Sequence, residues 1–272
     1  MIRLTTLVEN TASKGSLRAE HGLSVLVETG QEVMLFDTGQ TDALLHNAEV
    51  LGMDLSRIGT VVLSHGHYDH AGGLPYLAAL TKPVVYAHPE IFRKRYAQAV
   101  NQMRYIGIRD RTWYEKGGIR FILDEEPREV LLDVYTSGTV AMTTDFEKVD
   151  KNFVYQVGDR YEKDDVPDDL SLVLNTQKGL FIIFGCAHRG IINIITQAEG
   201  RFGRKVFGFI GGTHLGPADE IQKERTIKAL KAMDLELIGP NHCTGALMAA
   251  RLFGELGGVV VFNNVGSVVE LV

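Results

Sequence analysis

Short apolar runs, each ended by glycine or a polar cluster, organise this chain and predict strands alternating with helices. Ile2 to Glu9 reads as a strand, and the polar stretch Asn10 to Glu20 as a loop. Leu23 to Glu28 and Val33 to Phe36 follow as two strands, and their short connection at Gly30-Gln31 predicts an antiparallel hairpin. A helix starting near Thr41 comes next, then a β-branched buried strand over Thr60 to Leu63. A helix over Leu74 to Leu80 accommodates Pro75 in its first turn, and a strand over Pro83 to His88 leads into another helix at His88-Pro89. Residues 91 to 169 are the least regular part, with weak strands at 119–123 and 129–134. Their charged end, Gly158 to Asp169, reads as an exposed loop. Order returns with a second hairpin, Leu170 to Thr176 and Leu180 to Phe184, and a helix to about Gly200. A strand over Lys205 to Ile210, a helix over Asp219 to Met233 and a strand over Glu236 to Gly239 follow. A helix and two short strands, Val259 to Phe262 and Ser267 to Leu271, finish the chain.

No linker or internal repeat divides the 272 residues, so the pattern predicts one domain with an insertion at about 91–169 covering an active site. A hydrophobic fraction of 45% and a charged fraction of 23% suit a globular protein with a real core. The net charge of −6 speaks against a nucleic-acid partner, which demands a basic face. Two cysteines, Cys186 and Cys243, imply no disulfide framework. No apolar run reaches membrane-spanning length, and Met1-Ile2-Arg3-Leu4-Thr5 resembles a first strand rather than a signal peptide, so the expected setting is cytoplasmic, without a membrane partner.

The candidate chemistry is concentrated in Ser64-His65-Gly66-His67-Tyr68-Asp69-His70-Ala71-Gly72-Gly73, directly after the buried strand. In an extended chain, side chains two apart point the same way, so His65, His67 and Asp69 can converge on one point. His70 then faces a second point close by, which suggests two metal ions. Imidazole nitrogen and carboxylate oxygen suit zinc, with manganese or iron as alternatives. Gly72 and Gly73 would let the backbone pass close to the metals. Other strands also end in residues able to bind or orient a metal: Asp37, Cys186 or His188, His214 and His242. Asp37 could cap the following helix or accept a hydrogen bond from a metal-bound histidine. His21, at a strand start, fits a pocket-lining or a surface position equally. His46 and His88 read as helix-face and helix-start residues. The middle segment carries Arg104, Arg109 and Arg111 among Tyr96, Tyr105, Trp113 and Tyr114, a composition suited to a flat anionic small molecule or to a solvated helix face.

The pattern His-x-His-x-Asp-His after a buried strand resembles the metallo-β-lactamase superfamily. Gly-Cys-Ala-His-Arg-Gly at 185–190, Gly-Gly-Thr-His-Leu at 211–215 and Asn-His-Cys-Thr-Gly at 241–245 are similar to a subgroup named after a dihydropterin-phosphate synthase of methanopterin biosynthesis. The resemblance implies a four-layer αββα sandwich of two mixed β-sheets flanked by helices. It also implies a metal-dependent hydrolase or transferase whose two divalent ions activate water against a phosphoester-like or pterin-phosphate-type molecule. His65 and His67, with His188, would hold one ion; Asp69, His70 and His242 would hold the other, with Asp69 also serving as base. Many members have a further histidine between the first cluster and the central strand. Here only His88 lies in that interval and comes too early, so His188 is expected to fill the place with Cys186 shaping the pocket, the alternatives being Cys186 itself, another group or water. The rival readings are a redox di-iron protein of the same fold and a nucleic-acid phosphodiesterase. The first is disfavoured by His67, where such relatives carry glutamate, and the second by the acidic balance.

Overall fold

The protein is described from a computed structural model covering residues 1–30 and 32–272. Gln31, part of the first expected hairpin turn, lies outside the described residues. The chain opens with β1 (Ile2–Val8), β2 (Ser24–Thr29), β3 (Glu32–Phe36), α1 (Ala43–Val50), β4 (Thr60–Val62), α2 (Tyr68–Ala71), α3 (Leu74–Ala78) and β5 (Val84–Ala87). The middle holds β6 (Arg95–Ala99), β7 (Gln102–Tyr105), α4 (Arg111–Lys116), β8 (Arg120–Leu123), β9 (Glu129–Leu131), β10 (Val134–Thr136), β11 (Phe153–Val157) and β12 (Arg160–Lys163). Then come β13 (Ser171–Asn175), β14 (Leu180–Phe184), α5 (Ile191–Phe202), β15 (Val206–Gly212), α6 (Glu220–Lys231), β16 (Leu237–Asn241), α7 (Ala246–Leu256) and β17 (Val268–Leu271).

Two sheets stack face to face. One has the order β17-β1-β2-β3-β4-β5-β8 and the other β16-β15-β14-β13-β10-β9. Each is antiparallel at one side and parallel at the other: β3, β4, β5 and β8 run together in the first, β14, β15 and β16 in the second. The period-two alternation of side chains explains why these strands read as continuous apolar runs. In β14, Phe181 and Ile183 face the other sheet, while Leu180, Ile182 and Phe184 pack under α5, α6 and α7. In β3, Met34 and Phe36 face inward and Leu35 joins the layer beneath α1 and α3. Both faces of both sheets are therefore buried, which makes the four-layer αββα sandwich. No helix among the described residues is long and apolar enough to cross a membrane.

The expected insertion at 91–169 divides into parts with different destinations. β8 extends the first main sheet and β9–β10 extend the second, because Phe121, Val130 and Val134 have core faces to pack against. Only β6, β7, β11 and β12 form a separate four-stranded antiparallel sheet. Its hairpins are exposed over much of their length, which hid them from a hydrophobic reading. The end of the chain differs too: in place of a strand over Val259–Phe262 there is a 3-10 turn, Gly257–Val259, followed by a single bridge between Ile238 and Val260. The helix expected at His88-Pro89 is a short 3-10 turn, Pro89–Phe92, with the His88 imidazole accepting from the Glu90 amide at 3.1 Å.

The charged run expected to be an exposed loop contains a fully buried ion cluster. Arg95 on β6 is fully buried; its Nε donates to Asp164 at 2.7 Å, and its two amino nitrogens donate to Asp168 at 2.9 and 2.6 Å. Asp168 also accepts from the Gly66 amide at 2.7 Å, between the two histidines of the strand-end motif. A Cβ on Gly66 would stand 1.9 Å from the Ile91 carbonyl oxygen and 2.6 Å from the Arg95 guanidinium, so this position requires glycine. Charged residues thus go inside when a fork-shaped guanidinium meets two carboxylates. Asp168→Ala would strand the Arg95 charge and is expected to cost on the order of 3–5 kcal/mol. Urea unfolding should show a lower midpoint with an unchanged slope; an unchanged midpoint would mean that the cluster carries no stability.

Candidate metal centre

Parallel strands place their carboxyl ends at one edge of a sheet, and the two parallel halves share one rim. There β3 ends in Asp37, β4 in Ser64 to His67, β14 in Cys186 to His188, β15 in His214, and β16 in His242 and Cys243. Among the described residues, six non-glycine residues have positive φ, and four of them, Asp37 (58°), Ala187 (51°), His214 (50°) and His242 (50°), lie at these strand ends. Each such conformation costs about 1–3 kcal/mol and persists where surrounding structure over-determines it.

His65 Nε2 lies 2.9 Å from His67 Nδ1 and 3.2 Å from His188 Nε2. The hydrogen-bond network assigns the tautomers. Ser64 Oγ donates to Asp37 Oδ2 at 2.7 Å and accepts from His65 Nδ1–H at 2.8 Å, so His65 turns a lone pair toward its neighbours. Burial first, and then neighbouring imidazoles, hold His65 and His188 well below the ordinary histidine range, while burial and the nearby Arg95 charge do so for His67. Neutral imidazoles with facing lone pairs repel unless a cation lies between them. A tetrahedral ion with nitrogen ligands at about 2.0–2.1 Å has ligand–ligand edges of about 3.3–3.4 Å, close to these separations. His67 Nε2 and His188 Nδ1, the outer nitrogens, are buried without hydrogen-bond partners among the described residues.

A second point lies beside the first. His70 Nδ1 donates to Asp37 Oδ2 at 2.7 Å, leaving His70 Nε2 to face His242 Nε2 at 3.1 Å and Cys186 Sγ at 3.2 Å. His242 Nδ1–H donates to Asn10 Oδ1 at 2.9 Å, which again turns Nε2 inward. Asp69 Oδ2 stands 3.4 Å from His242 Nε2 and 3.8 Å from His70 Nε2. Burial opposes charge on Asp69, but His70, His21 and His242 outweigh it and hold the carboxyl well below its usual range. Burial likewise works against charge on His70, yet Asp37 and Asp69 lift it to about 9. Asp69 does not join His65 and His67, as extended spacing suggested. The chain turns helical at Tyr68, and α2 swings the carboxylate toward His242. The first point presents three imidazole nitrogens and the second two imidazole nitrogens and a carboxylate oxygen, donors that suit a divalent transition metal.

Other sequence candidates find definite places. Asp37 supports His70 and Ser64 rather than capping α1, whose N-cap, Asp42, makes no side-chain cap. Gly72 and Gly73 are needed for a different reason than metals: a Cβ there would meet the carbonyl oxygens of Gln40 at 2.3 Å and Thr38 at 2.0 Å. His21 accepts from Asn10 at Nδ1, which leaves Nε2–H to donate to Asp69 at 3.0 Å from a half-exposed rim position. His214 packs its ring 4.3 Å from that of His188. Arg104 donates to the Tyr68 hydroxyl at 3.0 Å, and Arg109 lies 4.6 Å over the Trp113 ring. A cavity of about 610 Å³ is walled there by Tyr68, Lys94, Tyr96, Tyr105, Arg109 and Trp113. Arg111 is not in its wall; it pairs with Glu115 one helical turn on. Sequence reasoning did not single out Ser64, Asn10, Phe153 or Asp169. Phe153 of β11 sits with its ring 5.2 Å from His67 and 5.4 Å from His188, so the small sheet roofs the cluster. Asp169, whose carboxyl burial pushes up to about 7, accepts from the Arg189 amide at 2.8 Å and anchors the His188 segment. Ser64 could have been found from its place before the first histidine; Asn10, in a polar loop, left no signal.

The profile of the metallo-β-lactamase superfamily matches residues 17–202. A Methanocaldococcus jannaschii protein named 7,8-dihydropterin-6-methyl-4-(β-D-ribofuranosyl)-aminobenzene-5′-phosphate synthase is 34% identical over 93% of this chain and 91% of its own length. An uncharacterized protein of the same organism is also 34% identical, over 97% of this chain and 98% of its own. The crystal structure of Tm1679, a metal-dependent hydrolase of the β-lactamase superfamily, superposes with a TM-score of 0.86 at 30% identity, covering 100% of this chain and 99% of that one.

Two outcomes follow from this geometry. His188→Ala should lose one metal equivalent relative to the unaltered protein, by elemental analysis after purification without chelator; full retention would move the first point's third ligand elsewhere. Metal affinity of the metal-free protein should rise with pH up to about 9, because an incoming ion must displace the second proton that Asp37 and Asp69 hold on His70. The sign follows from the raised value: the proton stabilises the metal-free fold fully below the ordinary histidine pKa and ceases to do so above about 9. Titration calorimetry across that range reads the dependence, and a flat affinity would contradict it.

Proposed function

Because this chain belongs to the metallo-β-lactamase superfamily, we propose that it is a metal-dependent enzyme that hydrolyses or transfers a phosphoester-like group on a small anionic molecule bearing a planar ring. The observation that carries this reading is the convergence of His65, His67 and His188 on one buried point and of Asp69, His70 and His242 on its neighbour. Two divalent ions held by these residues, zinc first for this imidazole-rich set and manganese or iron otherwise, would supply an acidified water and positive charge opposite the attacked group. Asp69, kept ionised by its imidazole neighbours, is placed to hold the proton of the attacking water. His21 fixes the Asp69 carboxylate from the rim. Phe153 and the small sheet above it exclude bulk solvent from the His67–His188 side.

The adjoining cavity suits the substrate class. Tyr96, Tyr105 and Trp113 present aromatic walls for a planar ring and Lys94 and Arg109 supply positive charge for an anionic group, with Arg104 outside the wall and bonded to its Tyr68 hydroxyl. The named product of the M. jannaschii relative joins a pterin ring to a ribofuranosyl phosphate. We assign this chain the same broad class, a phosphate-bearing heterocyclic compound. That relative's name is a synthase's, which favours group transfer as the second reading.

Asp69→Asn keeps the side-chain size and removes the charge, and turnover of a model phosphodiester should fall on the order of 100-fold or more with the fold intact. Near-normal turnover would place the base elsewhere. Arg104→Ala and Arg109→Ala should each weaken KM for an anionic substrate while sparing a neutral analogue, and Arg111→Ala should change neither. Equal losses on both substrates would remove these arginines from recognition.

A further inference from the structure

Behind the second point, the ends of β14, β15 and β16 bring Cys186 Sγ, a His214 ring nitrogen and Cys243 Sγ within 4.8 Å of one another. Among the described residues neither ring nitrogen of His214 reaches solvent or meets a hydrogen-bonding oxygen or nitrogen, and the side chain that acts on it is Cys243. A neutral imidazole carries one N–H and one lone pair, and burying either without a partner is unfavourable. Such a group inside a native fold calls for a ligand to account for it. The backbone is also bent to put His214 there, at a φ of 50°. Room for the Cys243 sulfur comes from Gly212, where a Cβ would stand 2.6 Å from it. The sulfur already acts as an acceptor, taking the His214 amide at 3.3 Å.

We propose that Cys186, His214 and Cys243 form a third cation position, selective for a thiophilic ion such as zinc and adjoining the two points described above. Two sulfurs and one nitrogen make a softer donor set than the imidazole and carboxylate set beside it. Loading converts both thiols to thiolates and releases their protons to solvent, and the two negative charges balance a dication. Cys186 Sγ also stands 3.2 Å from His70 Nε2, so one thiolate can face both the new position and the second point. Any side chain at Gly212 would meet that sulfur and also, at 2.5 Å, the Gly185 carbonyl oxygen.

The test uses the full-length protein loaded with cobalt(II) under reducing conditions. Metal equivalents are measured after gel filtration, and thiolate-to-cobalt charge transfer is read in the near ultraviolet. The unaltered protein is expected to hold three equivalents and to show the charge-transfer band. Cys243→Ser should lose one equivalent and about half of the band, since one of two thiolates is gone. His214→Ala should lose the same equivalent, with circular dichroism reporting the fold. Absence of the band in the unaltered protein overturns the proposal without any substitution, as does a Cys243→Ser protein with unchanged metal content and band. Failure of the two-ion reading gives a different result: His188→Ala would leave metal content unchanged while Cys243→Ser still lost its ion.

Discussion

The carboxylate of Asp37 is the constraint on which the site depends. It is fully buried, and an unpaired charge there would cost several kcal/mol. Its oxygens accept from the Ser64 amide, the Ser64 hydroxyl and His70 Nδ1, all at 2.7 Å. Those three bonds do more than satisfy a charge. They set the tautomer of His70 directly and that of His65 through Ser64, turning both Nε2 lone pairs toward the cluster. One buried acid at the end of β3 thereby orients one imidazole in each of the two side-chain clusters.

A second buried ion cluster ties the roof to the same loop. Arg95 comes from the small sheet, Asp164 and Asp168 from the segment entering β13, and Asp168 reaches the Gly66 amide between His65 and His67. The strand-end motif is thus held from below by Asp37 and from the side by Asp168. Phe153, on the strand paired with β6, then lies over the imidazoles. The aromatic cavity and the histidine cluster are mechanically joined, because the sheet that carries Tyr96 and Tyr105 is the one anchored at Gly66.

The donor sets grade across the rim. His65, His67 and His188 offer nitrogen alone, and His70, His242 and Asp69 offer nitrogen and oxygen. Cys186, His214 and Cys243 offer sulfur and nitrogen. The sulfur-bearing set comes wholly from the ends of β14, β15 and β16, whereas the other two join the β14 or β16 end to residues that follow β4 in the first sheet. An edge assembled from parallel strands can hold several adjacent cation positions without any strand crossing another.

What the sequence determined by itself was the set of elements and the residues at their ends. Apolar runs of strand length located most strands of the two main sheets, and the dense His-x-His-x-Asp-His motif marked the rim, because hydrophobic period and ligand spacing are local properties. The exposed hairpins β6–β7 and β11–β12 were not legible, since their strands pair with each other rather than with a core. Nor was the burial of Asp164, Asp168 and Asp169: a charged run reads as solvated until a guanidinium 69 or 73 residues away closes on it. Only the tertiary structure decided that α2 turns Asp69 toward His242, that His188 reaches His65 across 123 residues, and that Asn10 orients His242 across 232. These are contacts between strand ends of different sheets. Their partners are chosen by how the sheets stack, which no local pattern along the chain records.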